Sequence, residues 1–591
     1  MNPLVQVSPT GGKLVLAAVA GTVNAAPNPE NEVDAAAGAE RSMYVYAPAS
    51  GVPHPKQAAV LYVLRDGADE ASARRAVDEL ALDVLAEANH LIVVLPNPAE
   101  GGWNYAADPA RDDDVAFLVR CFAALKGSLA KVSGFNGLMF HVGCGAAASA
   151  MVWTLAQTHP LDAAGIMVGA FPEGYEPPAG AAEQVAWLYE TNAEAQAHLA
   201  EVDRVPANAS APRTGAVCHA SAENPCVRYY TSGRGLCAAE LAEAWARLFS
   251  GTRRWRNDVC GTYQPRPDFE GRGFVAHVAD SSLPLEDGLP RTWYEYVPAR
   301  VRASAEPAPL VIYLHGINCV GLYGAEQSGW ADIADRDGLM CVFPDATVEM
   351  RWNAWDDPRI PADIPFILAL IDQMDAQHPV DRTRVYLSGF SMGSMTVNAI
   401  ACAYPEVFAG AVACNAASVG YLHTLDESAD EMLMFNPASR IRDIEPSDDE
   451  SSPMHRLADS KRAAYAYRMP FVQLVGLNDN TTFYTKGRIW PVAEGDTEWI
   501  ETVRYWKEFN GIPAEPLLDP ATETGFAAPE RVEQGRFIHQ SWEDEAGEPG
   551  LYHLIAVRRM PHAVDLAGIE LGWSIVKRYR RLADGSLGLV E

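Results

Sequence analysis

At 591 residues the chain is too long for one hydrophobic core, and two large domains are expected. A hydrophobic content of 48% against 21% charged residues excludes a mostly disordered chain. The formal net charge of -31, with no basic stripe, argues against nucleic acid or an anionic membrane as partner, because binding phosphates needs clustered lysine and arginine.

Met1-Asn2-Pro3-Leu4-Val5-Gln6 shows no basic segment followed by an apolar run, and no stretch approaches the roughly 18 apolar residues of a membrane helix. The ten cysteines lack CxxC pairs and metal-like His/Cys spacing, so reduced thiols, no metal and a cytoplasmic location are expected.

Along the chain the pattern occurs twice. Ser42 to Pro48 matches Thr292 to Pro298, the apolar run Ala59 to Leu64 with Arg65-Asp66-Gly67 matches Val311 to Gly316, and Trp103-Asn104 matches Trp352-Asn353. In each copy short β-branched runs alternate with amphipathic segments, which predicts α/β domains with mostly parallel sheets flanked by helices. The expected division is a first domain over 1–250, a linker over 251–273 that breaks the periodicity, and a second domain over 274–591.

In the second copy Val385-Tyr386-Leu387-Ser388 predicts a strand, Gly389-Phe390-Ser391-Met392-Gly393 is G-x-S-x-G, and a helix follows over 394–403. This is the sequence form of a nucleophile elbow, in which flanking glycines leave room for a serine on a strained strand-to-helix turn. Such sites place the acid next and the histidine last. Asp479 leaves the buried strand Pro470 to Gly476. His562 follows the strand Leu551 to Val557 and precedes a helix over about 566–581; the rival His553 lies inside that strand. Oxyanion donors are expected at the backbone N–H groups of Met392 and Ile317. His315 and the tryptophans Trp352 and Trp355 are candidates to line the substrate, although a histidine placed like His315 more often shapes its turn.

Four stretches resemble the polyhydroxybutyrate depolymerase and feruloyl esterase group of α/β-hydrolases: Leu314-His315-Gly316; Arg351-Trp352-Asn353-Ala354-Trp355; Val380 to Tyr386 leading into the elbow; and Tyr404 to Gly410. The resemblance lies in the second copy and implies the α/β-hydrolase fold there; with the repeat it gives two tandem α/β-hydrolase domains. It further implies hydrolysis of a soluble aromatic or short aliphatic ester through Ser391, Asp479 and His562, without a cofactor, with Trp352 or Trp355 near the acyl or leaving group. The chain departs from the family where Ile317 replaces a common cysteine and where Pro561-His562-Ala563-Val564 surrounds the histidine. A peptidase or acyltransferase on the same fold, and a scaffold protein without activity, are the alternatives.

The first copy lacks the triad. Aligned by sequence, Gly145 stands for Ser391, Ala193 for Asp479, Arg234 for His562 and Asp66 for His315. A degenerate domain that packs on the active copy or serves dimerisation is the expected reading. The second copy is longer over 421–467 and 481–541, and both segments are expected to be lids or binding loops.

Overall fold

A computed structural model describes residues 12–21, 38–49, 59–129, 137–171, 175–177, 182–190, 193–205, 215–317, 319–347, 351–353, 361–416, 467–479, 490–493 and 497–590. The chain divides into two units, Met1–Pro267 and Asp268–Glu591.

The first unit is built on β1 (Leu14–Val19), β2 (Arg41–Tyr46), β3 (Val60–Arg65), β4 (Ile92–Pro96), β5 (Met139–Cys144), β6 (Gly165–Val168), β7 (Ala186–Leu188), β8 (Val217–Ala220) and β9 (Arg228–Thr231). They form one sheet in the order β1-β2-β4-β3-β5-β6-β7-β9-β8. In the segment expected as a linker, β10 (Thr252–Trp255) and β11 (Thr262–Pro265) pair as an antiparallel hairpin. This corrects the sequence reading, and the cause is the arginines. Arg254 is buried; its N–H donates to Gly137 O and its guanidinium donates to Ala163 O, Glu183 O and Cys260 O. A stretch that looks polar and irregular in sequence therefore belongs to the first unit.

The second unit contains β12 (Val275–Asp280), β13 (Arg291–Tyr296), β14 (Ala308–Leu314), β15 (Met340–Pro344), β16 (Val380–Phe390), β17 (Gly410–Cys414), β18 (Phe471–Gly476), β19 (Glu530–Gln534), β20 (Phe537–Glu543) and β21 (Pro549–Val557). Their order is β12-β13-β15-β14-β16-β17-β18-β21-β20-β19, the same path as in the first unit with β19 added at the edge. The pairs from β15 through β21 are parallel, and β12, β13, β20 and β19 join antiparallel. Both units are thus α/β-hydrolase-type sandwiches.

Burial explains why these strands read as continuous apolar runs. Leu310, Ile312 and Leu314 of β14 enter the core on one face, with Phe366, Val397 and Ile400 of two helices. Val311 and Tyr313 enter the other, with Trp330, Ile569 and Trp573. A strand covered on both faces has no polar side to alternate with.

The longer second copy is only partly an insertion. Residues 421–466 and 481–489 lie outside the described residues. The helix Thr497–Phe509, however, buries Trp499, Val503, Trp506 and Phe509 in the core. It has a counterpart in the helix Ala193–Val202, which also follows β7 and precedes β8. The lid expected over 481–541 is corrected accordingly: helix and β20 are shared framework without sequence likeness, and the excess is β19 with the stretch 510–529. The C-terminal helix is also shorter than expected. It ends at Val576, and Tyr579–Arg581 pairs with Leu587–Leu589. Buried Arg581 donates to Phe408 O and Arg468 O, which draws the chain out of the helix. No helix among the described residues is long and apolar enough to cross a membrane.

Candidate active site

At the C-terminal end of β16 the chain turns at Ser391, which has φ 54° and ψ -121°, into the helix Met392–Ala403. A side chain at the flanking glycines would forbid the turn. A Cβ on Gly389 would lie 2.6 Å from Gly393 O, and one on Gly393 would lie 2.1 Å from Leu314 O. The strained conformation is held by the Ser391 N–H, which donates to Cys414 O at 2.9 Å.

Asp479 and His562 arrive from the ends of β18 and β21, parallel strands that β17 separates from β16. His562 Nε2 stands 2.9 Å from Ser391 Oγ, and His562 Nδ1 stands 2.8 Å from Asp479 Oδ2. Asp479 is fully buried while the imidazole keeps a narrow exposure. A buried carboxylate accepting from Nδ1–H leaves Nε2 as the acceptor for the serine hydroxyl, which suits a nucleophile and base pair. Phe390 packs its ring on that of His562, with centroids 4.7 Å apart. His553 instead sits within β21, partly buried, with Nδ1 3.0 Å from His539 Nε2.

The turn after β14 lies against the serine, since a Cβ on Gly316 would fall 3.3 Å from Ser391 Cβ. Ile317 follows in that turn, and Met392 opens the helix, where first-turn N–H groups have no partner within the helix. Met392 thus adjoins Ser391 in the chain, and Ile317 follows the glycine that lies against it.

The proposed substrate contacts fare differently. His315 is fully buried: Ala346 N–H donates to its Nε2 at 3.0 Å, so Nδ1 carries the proton and donates to Gly316 O at 2.7 Å. Burial lowers its pKa to about 4. Trp352 is also buried, and its indole N–H donates to His315 O at 2.7 Å. Neither side chain faces a substrate; both brace the Gly316 turn from beneath, because each has its polar atoms satisfied inside the core. Trp355 lies outside the described residues.

The first unit repeats this brace. Trp103 donates to Arg65 O at 2.9 Å, and Asn104 N–H donates to Asp114 Oδ2 at 2.6 Å, as Asn353 N–H does to Asp363 Oδ2 at 2.7 Å. Strand pairing agrees, with Leu64 opposite Gly143 and Leu314 opposite Gly389. Arg65, not Asp66, is therefore the counterpart of His315. Asp66 takes the place of Gly316, and its Oδ2 would lie 2.6 Å from a Cβ on Gly145. By the same register Asp479 falls on Glu194 rather than Ala193, both in the first turn of a helix. Arg234 ion-pairs Glu243 and, at 2.8 Å, Glu240.

One residue of the site carries no signal in the motif. Asn415, just past β17, is buried and has φ 49°. Its side chain joins the loops of the acid and the histidine.

Residues 293–443 match the family model described as Esterase PHB depolymerase. Feruloyl esterase B of Neurospora crassa is 30% identical over 235 residues, covering 38% of this chain and 74% of the relative. Poly(3-hydroxyalkanoate) depolymerase C of Paucimonas lemoignei is 33% identical over 126 residues, 20% of this chain and 29% of that protein. A bifunctional acetylxylan esterase/xylanase of Neocallimastix patriciarum is 31% identical, and the chain spans only 22% of its length. Among solved structures, acetyl xylan esterase from Aspergillus awamori is 15% identical with a TM-score of 0.33, covering 51% of this chain and 98% of that one. The chain belongs to the group of carboxylic ester hydrolases that includes polyhydroxybutyrate depolymerases and feruloyl esterases.

Proposed function

We propose that the chain is a serine carboxylic ester hydrolase with one active site, in the second unit. The observation that carries this reading is the relay Asp479, His562, Ser391, with separations of 2.8 and 2.9 Å at the end of a strained elbow. Ser391 Oγ attacks the ester carbonyl as His562 Nε2 takes its proton. Asp479 keeps the imidazole oriented and stabilises its charged form, and the N–H groups of Met392 and Ile317 receive the oxyanion. The alcohol leaves with the proton from His562, and water, deprotonated in turn, releases the acid.

The substrate we propose is a soluble ester of an aromatic, hydroxycinnamoyl-like or a short aliphatic acid, a reading supported by the likeness to a feruloyl esterase. Trp352 no longer contributes to it. The first unit is read as a degenerate copy without turnover.

Labelling with a fluorophosphonate probe and hydrolysis of p-nitrophenyl esters test the assignment. Ser391→Ala is expected to abolish labelling and to lower kcat by at least about a thousandfold. Persistent labelling or turnover in that variant would place the nucleophile elsewhere.

A further inference from the structure

We infer that Asn415 is a positioning residue for this reaction, clamping the loop that carries His562 to the strand that leads to Asp479. The inference rests on the triad reading above. Asn415 Nδ2 donates to Ala563 O at 2.7 Å and to Pro561 O at 3.2 Å, the carbonyls on either side of His562. Its Oδ1 accepts from Gly476 N–H at 2.6 Å, at the last residue of β18 and three residues before Asp479. Both amide hydrogens donate and the carbonyl oxygen accepts, so the group has one orientation.

The backbone around it completes the bracket. Asn415 N–H donates to Leu474 O in β18, and the neighbouring Cys414 O accepts the Ser391 N–H. The end of β17 is thereby tied to the nucleophile turn, the acid strand and the base loop within two consecutive residues. Asparagine suits the place twice over: it tolerates the left-handed backbone that φ 49° requires, and it supplies donor and acceptor together. The first unit offers an internal comparison. Phe140 pairs with Gly165 as Tyr386 pairs with Gly410, which sets Ala170 opposite Asn415. The unit with glycine at the elbow has no amide side chain at the clamp's place.

Without the clamp His562 keeps its bond to Asp479 but loses the restraint on its loop, so the imidazole is held less closely against Ser391. In the full chain, Asn415→Ala is expected to lower kcat on p-nitrophenyl acetate about ten- to a hundredfold with KM little changed. The far-downfield proton resonance of the His562 to Asp479 hydrogen bond should broaden, because the bond is kept but its loop moves. Asn415→Asp keeps the shape and the acceptor for Gly476 N–H but turns an anionic oxygen toward two carbonyls. Its kcat should also fall, and the acid limb of its rate profile should move to higher pH, because a nearby negative charge favours the protonated imidazole.

Wild-type kcat, pH profile and downfield resonance in either folded variant would overturn the inference, even if the melting temperature fell. Should Asn415→Ala yield no folded protein, the isosteric aspartate variant decides alone. Ser391→Ala in parallel separates the two readings: activity in that variant refutes the triad, whereas its inactivity beside wild-type behaviour of the Asn415 variants refutes only the clamp.

Discussion

Beneath the Gly316 turn, His315 acts as a neutral strut, accepting from Ala346 N–H and donating to Gly316 O. Its folded-state pKa is lowered to about 4 by burial, below an unfolded value of about 6.5. Between those values the unfolded chain takes up a proton that the folded chain refuses, so this contribution to stability is full above pH 6.5 and is lost as pH falls toward 4. The melting advantage of the wild type over His315→Gln should therefore shrink across that window, as thermal denaturation at stepped pH would show; a constant advantage would mean that the ring is not held neutral. At the corresponding place in the first unit, Asp66 crowds Gly145. Adding Gly145→Ser to Ser391→Ala is accordingly expected to restore no fluorophosphonate labelling, since the new side chain meets a carboxylate and has no histidine to activate it.

Each unit ties the end of its first parallel strand to a tryptophan that comes after the next strand. Replacing Trp352 or Trp103 by phenylalanine removes one buried indole N–H and leaves a carbonyl unsatisfied, at a cost of about 1–3 kcal/mol in either unit. Function should separate them. Trp352→Phe loosens the turn beside Ser391 and should lower kcat, whereas Trp103→Phe should leave kcat unchanged; urea melts and p-nitrophenyl ester assays measure both quantities. The elements themselves were legible to unequal degrees. Buried strands such as β14 and β18 stood out because cover on both faces demands an unbroken apolar run. The helix Thr497–Phe509 was mistaken for part of a lid, since only its packing, not its residues, corresponds to the helix Ala193–Val202. The hairpin of β10 and β11 was mistaken for a linker because an arginine bonded to interior carbonyls is indistinguishable in sequence from one in solvent.

Taken whole, the molecule presents one architecture twice, with a shared strand order and the same hydrogen bonds recurring at Trp103 and Trp352 and at Asn104 and Asn353. The first unit keeps the framework and has glycine at the elbow. The loop before its last helix also differs: Tyr229 and Tyr552 hold equivalent pairings with a separation of 323 residues (552 minus 229), whereas Trp245 and Trp573 are 328 apart (573 minus 245). The stretch from that pairing to the last helix, which includes the end of the strand and the loop bearing His562, is thus five residues longer than its counterpart. A framework of this kind does not depend on a site, because its stability lies in the two-sided sheet rather than in the loops at the sheet's end.

Local spacing determined the elbow, because glycine sterics and strand periodicity act between near neighbours and leave a readable pattern; the chain order of Ser391, Asp479 and His562 followed from the pattern of such elbows, and the repeat from matching the two halves. The tertiary structure alone decided that His315 and Trp352 point into the core, that Arg65 answers His315, and that Asn415 joins the histidine and acid loops. Those facts depend on groups far apart in the chain meeting in one buried place, where hydrogen-bond satisfaction selects the orientation and no sequence period records it.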